Sequence, residues 1–286
     1  MSADVQRFFE DQGYLIVEDL LSDDELDACR HEIERLHALA AELDEAGKPE
    51  ARQFQREPHA GVAQRDDGLP VLRKVENTGN YSDLFGDLAR HSRLVPVIQG
   101  LIGDDLLLFR STLMLKPAHH GSAHALHQDS AYWPMDPPTL VTVSIALNNA
   151  TPENGCIQVI PGSHKWGLQE WGQITRADDA VTSRQDIDIS ARIDVPLRAG
   201  SAVCFHSLMV HGSGANQSPN PRNTALYAYF SPQVQYTPKE GQPRERSFPV
   251  VAGRDGRRDH THVADFHRPK HPPGLPHGGH GEDQRP

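Results

Sequence analysis

The hydrophobic and polar positions fall into two regimes that meet near residue 104. In the first, Leu26, Cys29, Ile33, Leu36, Ala40 and Leu43 recur every three or four residues, the period of a helix with one buried stripe. Ser22 and Glu25, just ahead of that stripe, fit a capping box and mark a helix start. Phe8, Phe9 and the run Tyr14-Leu15-Ile16-Val17 carry the apolar pattern backwards, so the whole segment 3–46 is read as helical. Residues 47–70 are polar and turn-rich and read as a loop, and 83–102 as a further helix ending at Gly103. The second regime consists of short apolar runs rich in Val, Thr, Leu and Ile at 106–115, 139–147, 156–160, 193–197, 202–206 and 224–230. Gly, Pro, Asn and Ser separate most of them, which predicts an all-β sandwich or jelly roll. The stretch 168–192 is polar and reads as a lid or insertion. No internal repeat or heptad interrupts this scheme.

Composition then narrows the function. The net charge is −11, but the first 50 residues hold 15 acids and 4 bases, while the remaining 236 carry 24 of each sign. A neutral body has no basic surplus to displace counterions from a polyanion, so nucleic acid is excluded as a partner. A mean hydropathy of −0.57, with no apolar run near the roughly eighteen residues of a membrane span, argues against a membrane protein. The N-terminal residues lack the basic and apolar regions of a secretory leader. Cys29, Cys156 and Cys204 are spaced for neither a disulfide framework nor a cysteine zinc site. The expectation is a soluble cytoplasmic protein with a small-molecule substrate, its oligomeric state left open.

The compositional anomaly is 17 histidines. Six of them, at 260, 262, 267, 271, 277 and 280, sit among Pro, Gly and Arg with no apolar strand pattern, and read as a mobile tail rather than a metal site. His31, His37, His59 and His91 read as surface residues. His164, after Pro161-Gly162, reads as ordering a turn, and His206 as packing on the side of its strand opposite His211. The stretch around His127-Gln128-Asp129 is different. Two residues apart in a strand, His127 and Asp129 point to one face, and an imidazole with a carboxylate supplies two ligands of a facial triad for non-haem Fe(II). His211, following the 203–210 run, completes a His127/Asp129/His211 set across a sheet. Arg222, just before the strand-like 225–230, offers a planar charged fork for a carboxylate. A metal triad with a carboxylate clamp is what a 2-oxoglutarate-using oxygenase requires.

These residues lie within a longer series: His127-Gln128-Asp129, Glu153-Asn154-Gly155-Cys156, Ile160-Pro161-Gly162-Ser163-His164-Lys165, His211-Gly212-Ser213-Gly214-Ala215-Asn216, then Arg222. In this order they resemble the phytanoyl-CoA dioxygenase family over roughly residues 5–235. The resemblance implies a mainly β fold with flanking helices, a double-stranded β-helix (jelly-roll, cupin-like) core with N-terminal helices packed on one sheet. It implies Fe(II) on His127, Asp129 and His211, with 2-oxoglutarate as co-substrate and O2 as oxidant. Arg222 with Ser213 would hold the distal carboxylate of 2-oxoglutarate. Lys74 and Thr112 would also contact the co-substrate, with Arg110, on the same strand face as Thr112, as an alternative. Gly200-Ser201 stands where relatives often have Gly-Asp, and Ile145 where some carry a bulky aromatic near the co-substrate. Asp129 argues against a halogenase, which replaces that carboxylate with a small residue.

Tyr132 and Trp133 are candidates either for the core or for the substrate cavity, with Gln128, Gln158 and His124 as further pocket candidates. Residues 1–236 are expected to form one catalytic domain, helical over 1–103 and β over 104–236. Residues 237–286 are expected to form a C-terminal extension, with the last twenty residues disordered. The expected reaction is hydroxylation of an unactivated C–H bond of a small metabolite, in natural-product or secondary-metabolite tailoring, with release of succinate and CO2. Six Lys against 22 Arg suggests a GC-rich bacterial source, where such tailoring is common. An acyl-CoA 2-hydroxylase is the alternative, for which Arg254, Arg257 and Arg258 could meet phosphates. A non-oxidative cupin-like metal-binding protein is the alternative from another class, in which Arg222 would have no task.

Overall fold

The structure is a computed structural model that describes residues 1–58, 65–169 and 189–265. Its N-terminal part holds α1 (Ala3–Gln12), β1 (Tyr14–Val17), α2 (Asp23–Glu45), β2 (Phe54–Arg56), β3 (Leu72–Glu76), α3 (Asp83–Leu88) and α4 (Val95–Ile102). The β-rich part runs through β4 (Leu106–Lys116), β5 (His124–His127), β6 (Met135–Asp136), β7 (Val141–Ala146), β8 (Ile157–Val159), β9 (Ile193–Val195) and β10 (Ala202–His206). It ends with β11 (His211–Ser213), β12 (Arg222–Phe230), β13 (Gln235–Tyr236), β14 (Glu245–Ala252) and β15 (Asp259–Val263). The major sheet has the order β1-β10-β7-β12-β4-β14-β15. One edge of β4 is shared, taking β14 at its start and β3, with β2 beyond it, near its end. A minor sheet of order β5-β11-β8-β9 holds His127 and His211. This is the jelly-roll architecture expected, with the helices on the outer face of the major sheet.

Alternation along the central strands sorts side chains between the two faces. Val141, Val143 and Ile145 of β7 join Leu26, Cys29, Ile33 and Leu36 of α2 in the main apolar core, while Thr142 and Ser144 face a cavity on the other side. Ile145 therefore does not approach the cavity; Ser144 stands there. Tyr227 and Tyr229 donate their hydroxyls to the Phe85 and Ala89 carbonyls at 2.8 and 2.9 Å, fixing α3 to the sheet. In β4 the alternation slips. Arg110 pairs with Ala228 and Leu108 with Tyr229, leaving Phe109 as an extra residue. Leu106, Leu108, Leu113 and Leu115 accordingly face the helices, whereas Phe109, Arg110, Thr112 and Met114 face inward.

Three departures from the sequence reading have physical causes. Gly13, at φ +78°, ends α1 in the left-handed region, and Tyr14–Val17 then pairs with β10 instead of continuing a helix. The helix expected over 83–102 is two, α3 and α4. The segment 237–265 supplies β14 and β15, so it is tied to the main sheet rather than lying wholly apart from it. His260 and His262 are on β15: His260 accepts a hydrogen bond from Arg254 (2.8 Å) and His262 is buried against Phe230 and Phe248. They form no mobile tail. The 170–188 part of the expected insertion, His59, and the extension from residue 266 onward lie outside the described residues.

Candidate active site

His127 ends β5, His211 begins β11, and the two are direct cross-strand neighbours. That register brings their rings to a centroid separation of 4.2 Å. Asp129 follows on a 3-10 turn (Asp129–Ala131) rather than within the strand, and turns back to the same point. Its Oδ1 lies 3.6 Å from His127 Nε2 and 3.8 Å from His211 Nε2. The three ligand atoms lie within 4.8 Å of one another, close enough to share one ion.

The surroundings fix each donor. His127 Nδ1 donates to the Ala125 carbonyl (2.9 Å) and His211 Nδ1 to the Met209 carbonyl (3.0 Å), which leaves both Nε2 atoms free to bind a metal. The Thr142 hydroxyl donates to Asp129 Oδ2 at 2.7 Å, leaving Oδ1 toward the histidines. Burial works to raise the Asp129 pKa, but His211, His127 and Thr142 outweigh it and hold the carboxyl at about 2. Burial lowers His211 to about 4, so that ring is neutral near pH 7. Burial also opposes charging of His127, yet Asp129 more than offsets it and the pKa is raised. Two imidazoles and one ionised carboxylate, all aimed at one point, suit a divalent iron.

Ser163, in the Pro-Gly-Ser-His-Lys turn, supports His211 by accepting the Val210 N–H at 2.8 Å. His164 itself lies by Glu10, its Nε2 3.0 Å from that carbonyl, and is no ligand.

Arg222 is the first residue of β12 and lines the same cavity as the triad. It is buried, and its Nε and Nη2 donate to the Gly155 carbonyl at 2.9 and 2.6 Å, while Nη1 reaches Thr224 Oγ1 at 3.3 Å. Gly155 sits at φ +78°, where an added Cβ would fall on the Gly214 carbonyl oxygen, so the Glu-Asn-Gly-Cys turn needs glycine there. Burial lowers the Arg222 pKa only to about 10, so it stays charged. Ser213 also lines the cavity and accepts a hydrogen bond from Lys116 Nζ at 2.9 Å. Lys116 was not singled out from the sequence, where Lys-Pro reads as a strand end. It is buried, donates also to the Gly214 carbonyl, and burial followed by Arg222 and Arg73 pushes its pKa to about 6.

Lys74, Arg110 and Thr112 all line the cavity. Glu76, also missed, engages two of them: Lys74 Nζ is 2.6 Å and Arg110 Nη2 2.9 Å from Glu76 Oε1, and Arg110 Nε donates to Thr112 Oγ1 at 3.0 Å. His124 lines the cavity beside Arg73. Trp133 does so too and packs on Phe109 with centroids 4.9 Å apart, whereas Tyr132 is 52% exposed beside His127. Two candidates point elsewhere. The Gln128 amide is buried and tied to the Gly167 and Leu208 carbonyls, because strand alternation turns it away from His127. Gln158 bonds Asp194 on the neighbouring strand (2.7 Å), while Ile157 takes the cavity side.

Comparison with known proteins identifies the family. The sequence matches the phytanoyl-CoA dioxygenase (PhyH) family over residues 9–224. The chain belongs to that family. It is 29% identical over 260 residues to a probable phytanoyl-CoA dioxygenase of Caenorhabditis elegans, covering 86% of this chain and 80% of the relative. It is 30% identical to the ectoine dioxygenase of Streptomyces avermitilis, covering 80% and 78%. Among solved structures it resembles the apo form of the non-haem monooxygenase ThoJ, with a TM-score of 0.69, 26% identity and coverage of 88% and 85%. Membership makes the chain an enzyme of the iron- and 2-oxoglutarate-dependent oxygenase class. Among the described residues no helix is long and apolar enough to cross a membrane.

Proposed function

We propose that this PhyH-family oxygenase hydroxylates an unactivated C–H bond of a small organic metabolite, with iron on His127, Asp129 and His211. The observation that carries the reading is the placement of a buried, charged Arg222 in the same cavity as the triad. A metal protein without a carboxylate co-substrate gives that guanidinium no task, and burying it unpaired with an anion would cost several kcal/mol. Iron bound there, with 2-oxoglutarate and O2, supplies the oxidant, and succinate and CO2 leave with the hydroxylated product.

The protein's own residues do the rest. Thr142 orients the Asp129 carboxylate, and the Ala125 and Met209 carbonyls aim the two imidazoles. Arg222 and Ser213 receive the distal carboxylate of the co-substrate, with Lys116 holding the Ser213 oxygen. Because Lys116 donates to that oxygen, the Ser213 proton is free to point at the arriving anion. Trp133 and Arg110 line the same cavity and border the volume left for the substrate. The ectoine dioxygenase likeness supports a small substrate, and Arg254, one of three arginines that could meet acyl-CoA phosphates, is already engaged by Asp105 and His260. The three free cysteines, all buried, fit a cytoplasmic location.

The test is spectroscopic. Adding 2-oxoglutarate to anaerobic Fe(II)-loaded protein should produce the weak visible charge-transfer band of a chelated 2-oxo acid. His211→Ala should abolish it, and Arg222→Ala should weaken 2-oxoglutarate binding by about 3 kcal/mol, roughly a hundredfold. A band insensitive to both substitutions would contradict the assignment.

A further inference from the structure

His124 belongs to the wall that faces the carboxylate end of the cavity. On the minor sheet it is the direct cross-strand partner of Ser213, and both residues line the cavity. Residues directly opposite in an antiparallel pair put their side chains on one face, with Cβ atoms about 4.5–5.5 Å apart. The imidazole is therefore a neighbour of the hydroxyl that, with Arg222, is to receive the distal carboxylate of 2-oxoglutarate. Arg222 does not saturate such a group. Its Nε and Nη2 are both engaged by the Gly155 carbonyl, so one edge of its fork is taken, whereas an ionised carboxylate offers about four lone-pair sites.

Arg73 decides what the imidazole can offer there. It lies on β3, and its Nη2 is 3.3 Å from His124 Nε2. A guanidinium has donors and no acceptor, so Nε2 must be the bare nitrogen of the ring. In a neutral imidazole the proton then sits on Nδ1. The other tautomer would set two donors against each other at Arg73. Burial, followed by the charges of Arg73 and Lys116, holds the His124 pKa well below its ordinary value, so the ring is neutral. A neutral ring in this tautomer carries one N–H donor, on Nδ1, in a wall that faces an arriving anion.

We infer that His124, held by Arg73 in the Nδ1-protonated tautomer, is a third hydrogen-bond donor to the distal carboxylate of 2-oxoglutarate, beside Arg222 and Ser213. This rests on the oxygenase reading of the cavity. It adds a residue that selects a dicarboxylate co-substrate, and it makes Arg73 a positioning residue that acts through the ring.

The test compares 2-oxoglutarate with 2-oxopentanoate, which has the same carbon chain and no distal carboxylate. Calorimetry on anaerobic Fe(II)-loaded protein gives the preference for the dicarboxylate as a ratio of dissociation constants. His124→Phe keeps a ring and removes both nitrogens. It should lower that ratio about tenfold or more, as for a lost hydrogen bond to a charged group, and leave 2-oxopentanoate binding within about twofold. His124→Asn, whose amide nitrogen can stand in for Nδ1, should keep the ratio within about threefold, while His124→Gln, whose amide lies nearer the place of Nε2, should lose it. An unchanged ratio in His124→Phe, or a parallel loss of both ligands, would overturn the inference. Nitrogen-15 NMR of the metal-free unsubstituted protein reads the tautomer directly: the proton should be on Nδ1, and Arg73→Met should mix the two forms. A proton on Nε2 would overturn the inference even if no His124 variant folded. The charge-transfer band separates the two readings. Its absence in the unsubstituted protein brings down the oxygenase assignment and the inference with it, whereas a normal band with an unchanged ratio in His124→Phe brings down the inference alone.

Discussion

Asp129 uses its two oxygens for different purposes, one anchored by Thr142 and the other turned to the histidines. Thr142→Val keeps the shape of the side chain and removes the anchor. It is expected to weaken Fe(II) binding tenfold to a hundredfold, read by competition with a chelator, as for other groups that orient metal ligands. Lys116 gives a prediction in pH. With a folded pKa of about 6 against an ordinary 10.5, it is neutral in the free protein above pH 6. The unfolded chain binds the proton that the folded chain refuses, so this group makes the fold more stable as pH rises from 6 towards 10.5. A carboxylate arriving at Arg222 and Ser213 reverses the refusal, and binding then takes up a proton. Affinity for 2-oxoglutarate should therefore fall as pH rises above 6, by up to ~tenfold per unit. Calorimetry in buffers of different ionisation heat measures the uptake; Lys116→Met should abolish it.

Elements differ in how openly the sequence announces them. The α2 capping box forms as read, with Ser22 Oγ accepting from the Glu25 N–H and Glu25 accepting from the Ser22 N–H. Ser22→Ala should cost about 1 kcal/mol, seen as a lower urea midpoint at unchanged slope, without loss of the 2-oxoglutarate band. Strands β4, β7 and β12 were legible because they are long and apolar, buried on both faces by helices and by the minor sheet. β1 was not, because Tyr14–Val17 is as apolar as the helical stripe beside it and only the Gly13 turn tells them apart. β14 and β15 were hidden by Arg246, Pro249, His260 and His262, which read as loop until pairing, of β14 with β4 and of β15 with β14, overrides propensity. At the site, the triad and Arg222 could be read from residue type and spacing. Gln128 and Gln158 were misplaced because alternation on a short strand decides their direction, and Glu76 and Lys116 act through tertiary pairing that no local pattern records. Gly155→Ala tests the turn that orients Arg222. It is expected to destabilise the fold by roughly 1–3 kcal/mol and to weaken 2-oxoglutarate binding with it.

For the molecule as a whole, the charge asymmetry is largely confined to its outer layer. The acids of the first 50 residues lie on α1, α2 and their flanks, covering the outer face of the major sheet and leaving the cavity to the neutral remainder. The two sheets meet through the site: His127 and His211 come from the minor sheet, Thr142 and Arg222 from the major. A ligand that bridges them should stabilise the entire fold. Metal and 2-oxoglutarate at about a hundred times their dissociation constants should each add about 2.7 kcal/mol, together raising the melting temperature by roughly 10 °C or more. In His127→Ala the metal-dependent part of that rise should vanish. The extra residue at Phe109 then acquires a larger meaning. It makes β4 two half-strands spliced out of phase, one turning Arg110, Thr112 and Met114 to the cavity and the other turning Leu107 and Phe109 to the apolar cluster with Phe230 and Phe248. Deleting a single residue at the splice would rotate one half through its alternation and carry Phe109 and Leu107 from this apolar cluster to the helix side. The length of this strand, as much as its side chains, therefore decides what stands behind Trp133 in the cavity wall.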